Sequence, residues 1–240
     1  MYALLFAEPV VDRVALRADA RDEVRFSPLI RACGDGDEAA AVALLRGFWP
    51  FVAAFEKAID AQVKRLPLRP LMQRFGHARI RRFFGEARAA VREMKDEEGS
   101  HAALWRQGAE QFGIRLDSDD RVRGVAALLE NAGTDDPVEF FCWLAGTEYI
   151  AEELGAFLCS SPRFVSLFAD GRWTWGEAHI AEHDGPSHLE IDEDLARAYH
   201  PASDPVLAGT ALSAQIKRCQ RMFGIAAEDV MVRLQALAVR

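Results

Sequence analysis

Apolar residues recur every three or four positions along most of this sequence, which is the spacing of one face of an α-helix. The alternation of apolar and polar residues that is typical of half-buried strands is nearly absent. The sequence therefore predicts an all-α protein of about seven to eight helices. Residues 1–34 lack a clear period and are expected to form an irregular N-terminal segment. Because no repeat or flexible linker divides the chain, residues 1–240 are expected to form a single domain.

Residues that start and stop helices set the approximate bounds of the predicted elements. The acidic cluster at residues 117–120 is expected to cap one helix. Gly185-Pro186 must kink or break the helix that begins near Thr174, because proline cannot donate a backbone hydrogen bond. The other predicted helices cover about 37–63, 79–112, 117–131, 137–159 and 204–238.

The charge balance limits the partners of this protein. It has 29 basic and 37 acidic residues and a net charge of −8, the wrong sign for binding a nucleic-acid backbone. The longest stretch without a charged residue, residues 205–216, is too short and too polar to span a bilayer. We therefore expect neither a nucleic-acid partner nor a membrane partner.

Cysteine usage and the first residues favour a cytoplasmic protein. The first ten residues lack the basic region of a secretory signal. A chain of 240 residues can bury a sizeable core without disulfides or a structural metal. No CxxC pair is present, which argues against a zinc knuckle or a thioredoxin-type site. Free thiols in a reducing compartment best explain the scattered cysteines, which are Cys33, Cys142, Cys159 and Cys219.

The long helix predicted over residues 79–112 carries two ionisable residues on its apolar face. Glu98 and His101 lie between Met94 and Trp105 on one helical stripe. Burying a carboxylate is costly unless it is paired or bound to a cation. The spacing Glu98-x-x-His101 puts both side chains on one side of the helix, as in the carboxylate-bridged iron sites of helical bundles. A buried Glu–His hydrogen bond, or a helix turned so that both residues face water, is the alternative.

The helix predicted after Pro137 has a similar anomaly. Glu148 lies within an apolar stripe, and Glu152 lies at the edge of the same face. A buried glutamate that is hydrogen-bonded to a tyrosine, an arginine or water is the structural alternative. Glu56 lies on a comparable stripe and is a weaker candidate.

Histidines are concentrated in one short segment. Three of the six histidines lie within residues 179–188, and His179 and His183 are one helical turn apart. His188 begins a second pair with Asp192, beyond Gly185-Pro186. Neutral imidazoles and carboxylates at helical spacing suit iron, manganese or zinc, whereas a coincidental surface cluster is the alternative. No G-x-S-x-G elbow or Gly-rich phosphate loop competes with this interpretation.

Three segments resemble the haem-oxygenase-like family, in its diiron oxidase branch, whose fold relatives are the TenA thiaminases and pyrroloquinoline-quinone synthase. The first, MKDEEGSHAALWRQGAEQFGI, resembles the family segment with a Glu and a His on one core helix, here Glu98 and His101. The second, GTEYIAEELG, resembles the segment that supplies a lone Glu, here Glu148. The third, WGEAHIAEHDGPSH, resembles the segment with a His, an acidic residue four positions later and a further His. The resemblance extends over about residues 42–231.

The third segment departs from the family pattern. If His179 is the first ligand, His183 stands where the acidic residue belongs and Pro186 where the last His belongs. If His188 is the first ligand, Asp192 matches but Leu195 replaces the last His. One ligand is therefore replaced or displaced in either alignment, and the site could hold one metal ion, two or none.

The resemblance implies a haem-oxygenase-like bundle that uses a non-haem iron or diiron centre and O₂ to oxidise a small organic substrate, with dimerisation as a family expectation. We expect His179 and His183 to point into the bundle, and His188 to reach the same cavity only because of the break. A metal-free TenA-like hydrolase or a non-catalytic binding protein of the same fold is the alternative function. The implied metal ligands are Glu98, His101, Glu148 and His179, with His183 and His188 competing for the remaining positions.

Overall fold

The computed structural model describes residues 5–6, 8–181 and 187–238, with all side chains in these ranges except those at 63 and 82–98. Over these residues it contains helices and no strand, which confirms the predicted all-α class. The eleven helices in the described ranges are α1 (Arg13–Phe26), α2 (Pro28–Gly34), α3 (Glu38–Val63), α4 (Leu68–Phe75), α5 (His77–Glu110), α6 (Arg123–Ala132), α7 (Pro137–Cys159), α8 (Pro162–Val165), α9 (Thr174–Ile180), α10 (His188–Tyr199) and α11 (Pro205–Ala238).

The expectation of an irregular segment over residues 1–34 is wrong, because α1 and α2 occupy most of it. The side chains of Asp12 and Ser27 cap these two helices by accepting hydrogen bonds from backbone N–H groups of the first turn. α1 is highly charged, and its buried residues form a stripe of one side chain per turn: Leu16, Ala20 and Val24. So narrow an apolar stripe gives a weak periodic signal, which explains why the sequence alone did not reveal the helix.

The acidic cluster also has a role other than the predicted one. α6 begins only at Arg123, with Val122 at its cap position, so residues 117–120 precede the helix. Asp120 instead forms an ion pair with Arg233 of α11, at 2.7 Å.

Short helices such as α2, α4 and α8 raise the number of helices above the seven to eight expected, because four to eight residues are too few to show a period.

The bundle is organised around α7, which packs against α1, α9, α10 and α11. Sixteen of its 23 residues are buried, on all sides of the helix rather than on one stripe. Because most of this helix is enclosed, a polar residue at one of its buried positions must meet a partner or a cavity. This placement makes Glu148 a buried carboxylate near the centre of the fold.

One described helix segment, Glu38–Gln62, is long and apolar enough to cross a membrane by length and composition alone. Half of its most apolar window is buried inside the bundle, where α3 packs against α5 and α6. The buried core helix of a globular bundle meets the same test, so this observation is weak evidence for a membrane span.

Candidate active site

A cavity of about 560 Å³ lies between α1, α5, α7, α9 and α10, and we call it the polar cavity because imidazole and carboxylate side chains are among those that line it. Pockets of 300–1,000 Å³ are the usual size of small-molecule sites in proteins. Among the residues that line it are three imidazoles and a buried carboxylate, which come from four different helices: His101, His179, His188 and Glu148. The sequence stripes therefore converge on a single cavity.

Two of these imidazoles lie side by side. The rings of His101 on α5 and His179 on α9 have their centroids 4.2 Å apart and are tilted by 43°. His179 also lies against Trp175, one turn earlier on α9, with ring centroids 3.9 Å apart. Neighbouring aromatic rings on two sides thus fix the position of the His179 ring.

A backbone carbonyl determines the tautomer of His179. Its Nδ1 lies 2.8 Å from the carbonyl oxygen of Trp175. Because a carbonyl oxygen can only accept a hydrogen bond, Nδ1 carries the proton and the lone pair of the neutral ring is on Nε2. A carbonyl that orients one ring nitrogen in this way is a common support for a metal-binding or proton-accepting imidazole.

The buried carboxylate meets the third imidazole. Nδ1 of His188 lies 3.9 Å from Oε1 of Glu148, and both side chains are largely buried, with 17% and 12% of their surface exposed. His188 is the first residue of α10, and a capping box formed by Ser187 and Glu190 fixes the start of that helix. The predicted break at Gly185-Pro186 lies outside the described residues, and on either side of it α9 ends at Ile180 and α10 begins at His188.

Three further carboxylates at the cavity are held by arginines of α1. Arg17 contacts Glu152 at 2.6 Å, and Arg21 makes a two-pronged contact with Glu153 at 3.1 and 3.2 Å. Arg13 pairs with Glu190 of α10 at 2.8 Å. These ion pairs attach α1 to the helices that line the cavity, and they partly neutralise its acidic wall.

Sequence reasoning missed these arginines because α1 was not predicted. Their spacing was nevertheless informative, since residues 13, 17 and 21 are four residues apart, which places them on one face of a helix. A row of cations at this spacing is the pattern expected of a helix that faces an acidic surface.

The structure does not test the whole predicted ligand set. The side chain of Glu98 and all of His183 lie outside the described residues. Among the side chains that are described, no group of three or more His, Cys, Asp or Glu is arranged so that it could hold a metal ion. The described members form two neighbouring pairs, His101 with His179 and Glu148 with His188, and their role as ligands stays a prediction.

Glu56, the weaker candidate, lies close to the same part of α5. A Cβ atom built on Gly99 would be only 3.3 Å from Oε2 of Glu56. The glutamate of α3 can therefore approach α5 here because residue 99 has no side chain. Gly99 lies between Glu98 and His101 in the sequence, so Glu56 belongs to the surroundings of the predicted site.

Comparison with known proteins identifies the fold. No family model matches the sequence, and neither does any curated protein. The structure is similar to that of a TenA homolog from Pseudomonas syringae pv. tomato, with a TM-score of 0.68. The chain has a TenA-like fold. The match covers 95% of this chain and 99% of the homolog, at 15% sequence identity, so it is a likeness of fold alone. It confirms the predicted haem-oxygenase-like helical bundle.

Proposed function

We propose that the polar cavity is the active site of an enzyme that uses one or two iron ions and O₂ to oxidise a small organic substrate. The observation that carries this proposal is the convergence of His101, His179, His188 and Glu148 on one cavity. Imidazole nitrogens and carboxylate oxygens are the donors that non-haem iron sites use. The size of the cavity is in the range expected for a small-molecule substrate.

The donor types present fit iron. The residues that would hold it are Glu98, His101, Glu148 and His179, with His183 and His188 competing for the remaining positions. When bound, iron would supply the Lewis acidity and the one-electron chemistry that reactions with O₂ require.

The chain's own residues would prepare the site in two ways. The Trp175 carbonyl holds the proton of His179 on Nδ1 and directs the Nε2 lone pair away from the helix backbone. The ion pairs of α1 with Glu152 and Glu153 keep these carboxylates in place beside the cavity. A substrate would therefore meet a wall whose charged groups are already oriented, which lowers the cost of binding.

A metal-free hydrolase is the second candidate, and a specific observation favours it. The Glu148 carboxylate lies 3.9 Å from Nδ1 of His188, which is beyond hydrogen-bond distance but close enough for its charge to favour a protonated ring. The solved structure with the similar fold is described as a TenA homolog, and TenA proteins are the thiaminase relatives named above. In this mechanism His188 would accept a proton from water, and Glu148 would stabilise the resulting imidazolium.

Metal analysis separates the two candidates. The full chain is incubated with Fe(II) without oxygen and desalted, and its iron content is then measured by mass spectrometry. We expect retained iron in the wild type and a clear loss in His101→Ala, in His179→Ala and in Glu148→Gln. His77→Ala is the matched control, because His77 is an exposed residue at the other end of the same helix as His101.

The outcome decides between the functions. Iron retained by the wild type and by the control, with oxygen consumption that depends on the iron, supports the oxidase. A wild-type protein that keeps no iron contradicts it and leaves the acid–base hydrolase, which would lose activity in Glu148→Gln without any metal.

A further inference from the structure

A second, apolar cavity lies behind the histidine pair, and we propose that it binds small apolar molecules of the dioxygen class. It has a volume of about 40 Å³ and lies between α3, α5, α6, α7, α9 and α11. Its role as a store for O₂ rests on the proposed function, whereas its capacity to bind an apolar gas does not. This cavity is distinct from the polar cavity, since the residues that line the two differ.

The apolar lining of the cavity disfavours water as an occupant. The surface that the cavity presents is entirely apolar. The hydroxyl and thiol groups of the lining residues already donate hydrogen bonds to the backbone. The Thr147 hydroxyl donates to the Trp143 carbonyl at 2.9 Å, and the Cys219 thiol donates to the same oxygen at 3.4 Å. A buried water needs two to four polar partners, and apolar cavities without them stay dry.

The size of the cavity selects among apolar ligands. A space of about 10–15 Å³ holds one water-sized probe, whereas the engineered apolar cavity that binds benzene measures about 150 Å³. At about 40 Å³ the present cavity is between these limits. It has room for a molecule of two or three heavy atoms, and it is too small for an aromatic ring or a long alkyl chain. Dioxygen is an apolar molecule of this size.

The position of the cavity connects it to the candidate site. Trp105, which lines the cavity, is one helical turn beyond His101 on α5. Trp175 also lines it and stacks on His179, with ring centroids 3.9 Å apart, while the two tryptophans lie 4.8 Å apart. A wall one ring thick therefore separates the apolar cavity from the imidazoles. A small apolar molecule that leaves the cavity past Trp175 reaches the side of the site where His179 lies.

Nuclear magnetic resonance of the tryptophan indoles tests this assignment directly. The full chain, without added iron, is labelled with ¹⁵N in its five tryptophans and equilibrated with xenon, an apolar gas. We expect shifts of the Trp105 and Trp175 indole signals, and little change at Trp49, which does not line this cavity. Equilibration with O₂ in place of xenon is expected to speed the relaxation of the same two indole protons, because O₂ is paramagnetic.

Val52 is a partly buried residue that lines the cavity, so a larger side chain at this position should reduce the volume of the cavity and a smaller one should increase it. Val52→Phe is expected to abolish both responses and Val52→Ala to increase them. Val42→Phe on the same helix is the matched control, since Val42 is also partly buried but lies away from this cavity. Val52→Ala keeps the test valid if the larger side chain prevents folding.

The results separate this inference from the proposed function. Xenon and O₂ responses at Trp105 and Trp175 support the cavity even in a protein that retains no iron. The inference is overturned if these indoles do not respond in the folded wild type, or if they respond equally in Val52→Phe. An iron-binding protein without these responses would keep the proposed oxidase and lose the apolar store.

Discussion

Tyr149→Phe should destabilise the fold through a single lost hydrogen bond. Tyr149 is fully buried on α7, and its hydroxyl donates to Oε1 of Glu193 at 2.8 Å. Glu193 is itself buried on α10 and also accepts from Nε of Arg13 at 2.7 Å. Burial raises the pKa of Glu193, which is the response of a carboxylate that has been removed from water. The substitution preserves the ring and removes only the donor.

The magnitude follows from the partner's charge. A hydrogen bond to a charged group contributes about 1.5–3 kcal/mol, and a buried acceptor that loses its donor has no water to replace it. We therefore expect Tyr149→Phe to lower the free energy of unfolding by about 2 kcal/mol. For a chain of this length that loss corresponds to a fall in Tm of roughly 4–8 °C.

Tyr199→Phe is the matched control. The Tyr199 hydroxyl is buried and has no hydrogen-bond partner among the described residues, while its ring stacks on Phe141. Removing this hydroxyl should leave stability unchanged or raise it, because a polar atom without a partner is unfavourable in the interior. Urea unfolding at constant m-value measures both variants. Equal effects of the two substitutions, or a loss below about 0.5 kcal/mol for Tyr149→Phe, would refute the reasoning.

Two further predictions concern helix packing and pH. Gly155→Ala should destabilise the protein by about 1–3 kcal/mol, because the added Cβ would lie 2.7 Å from the carbonyl oxygen of Gly176 on α9. Gly108→Ala is the control, because its Cβ would make only ordinary contacts at 3.5 Å or more. In the same urea assay this second substitution should leave stability unchanged or raise it. Burial raises the pKa of Glu23 above its ordinary 4.5, so the folded protein holds this proton more tightly than the unfolded chain. The free energy of unfolding should therefore fall as pH rises from 4.5 through the pKa of Glu23 in the folded protein. Glu23→Gln should weaken this fall. A pH profile of the urea midpoint that is unchanged in the variant would contradict this prediction.

The sequence was sufficient wherever a local pattern carries the information. The period of apolar residues predicts α3, α5, α7 and α11 closely, since long helices repeat their signal over many turns. The same period identifies Glu148 and His101 as polar residues on buried stripes, and the structure places both at one cavity. Gly185-Pro186 predicts that one helix cannot connect His179 to His188, because proline interrupts the backbone hydrogen bonds. The two histidines do lie on separate helices, α9 and α10, whereas Gly185-Pro186 themselves lie outside the described residues.

Only the tertiary structure decides which distant residues meet. The 4.2 Å approach of His101 to His179, and that of Glu148 to His188, join helices that are far apart in the chain, and no spacing rule relates them. The arginines of α1 acquire a role only when α1 docks on α7 and α10, since their partners lie more than a hundred residues away. The apolar cavity likewise depends on how six helices pack, because its volume is the space that their side chains fail to fill. A sequence specifies which face of each helix is apolar, whereas the distances between faces arise from the packing of all of them together.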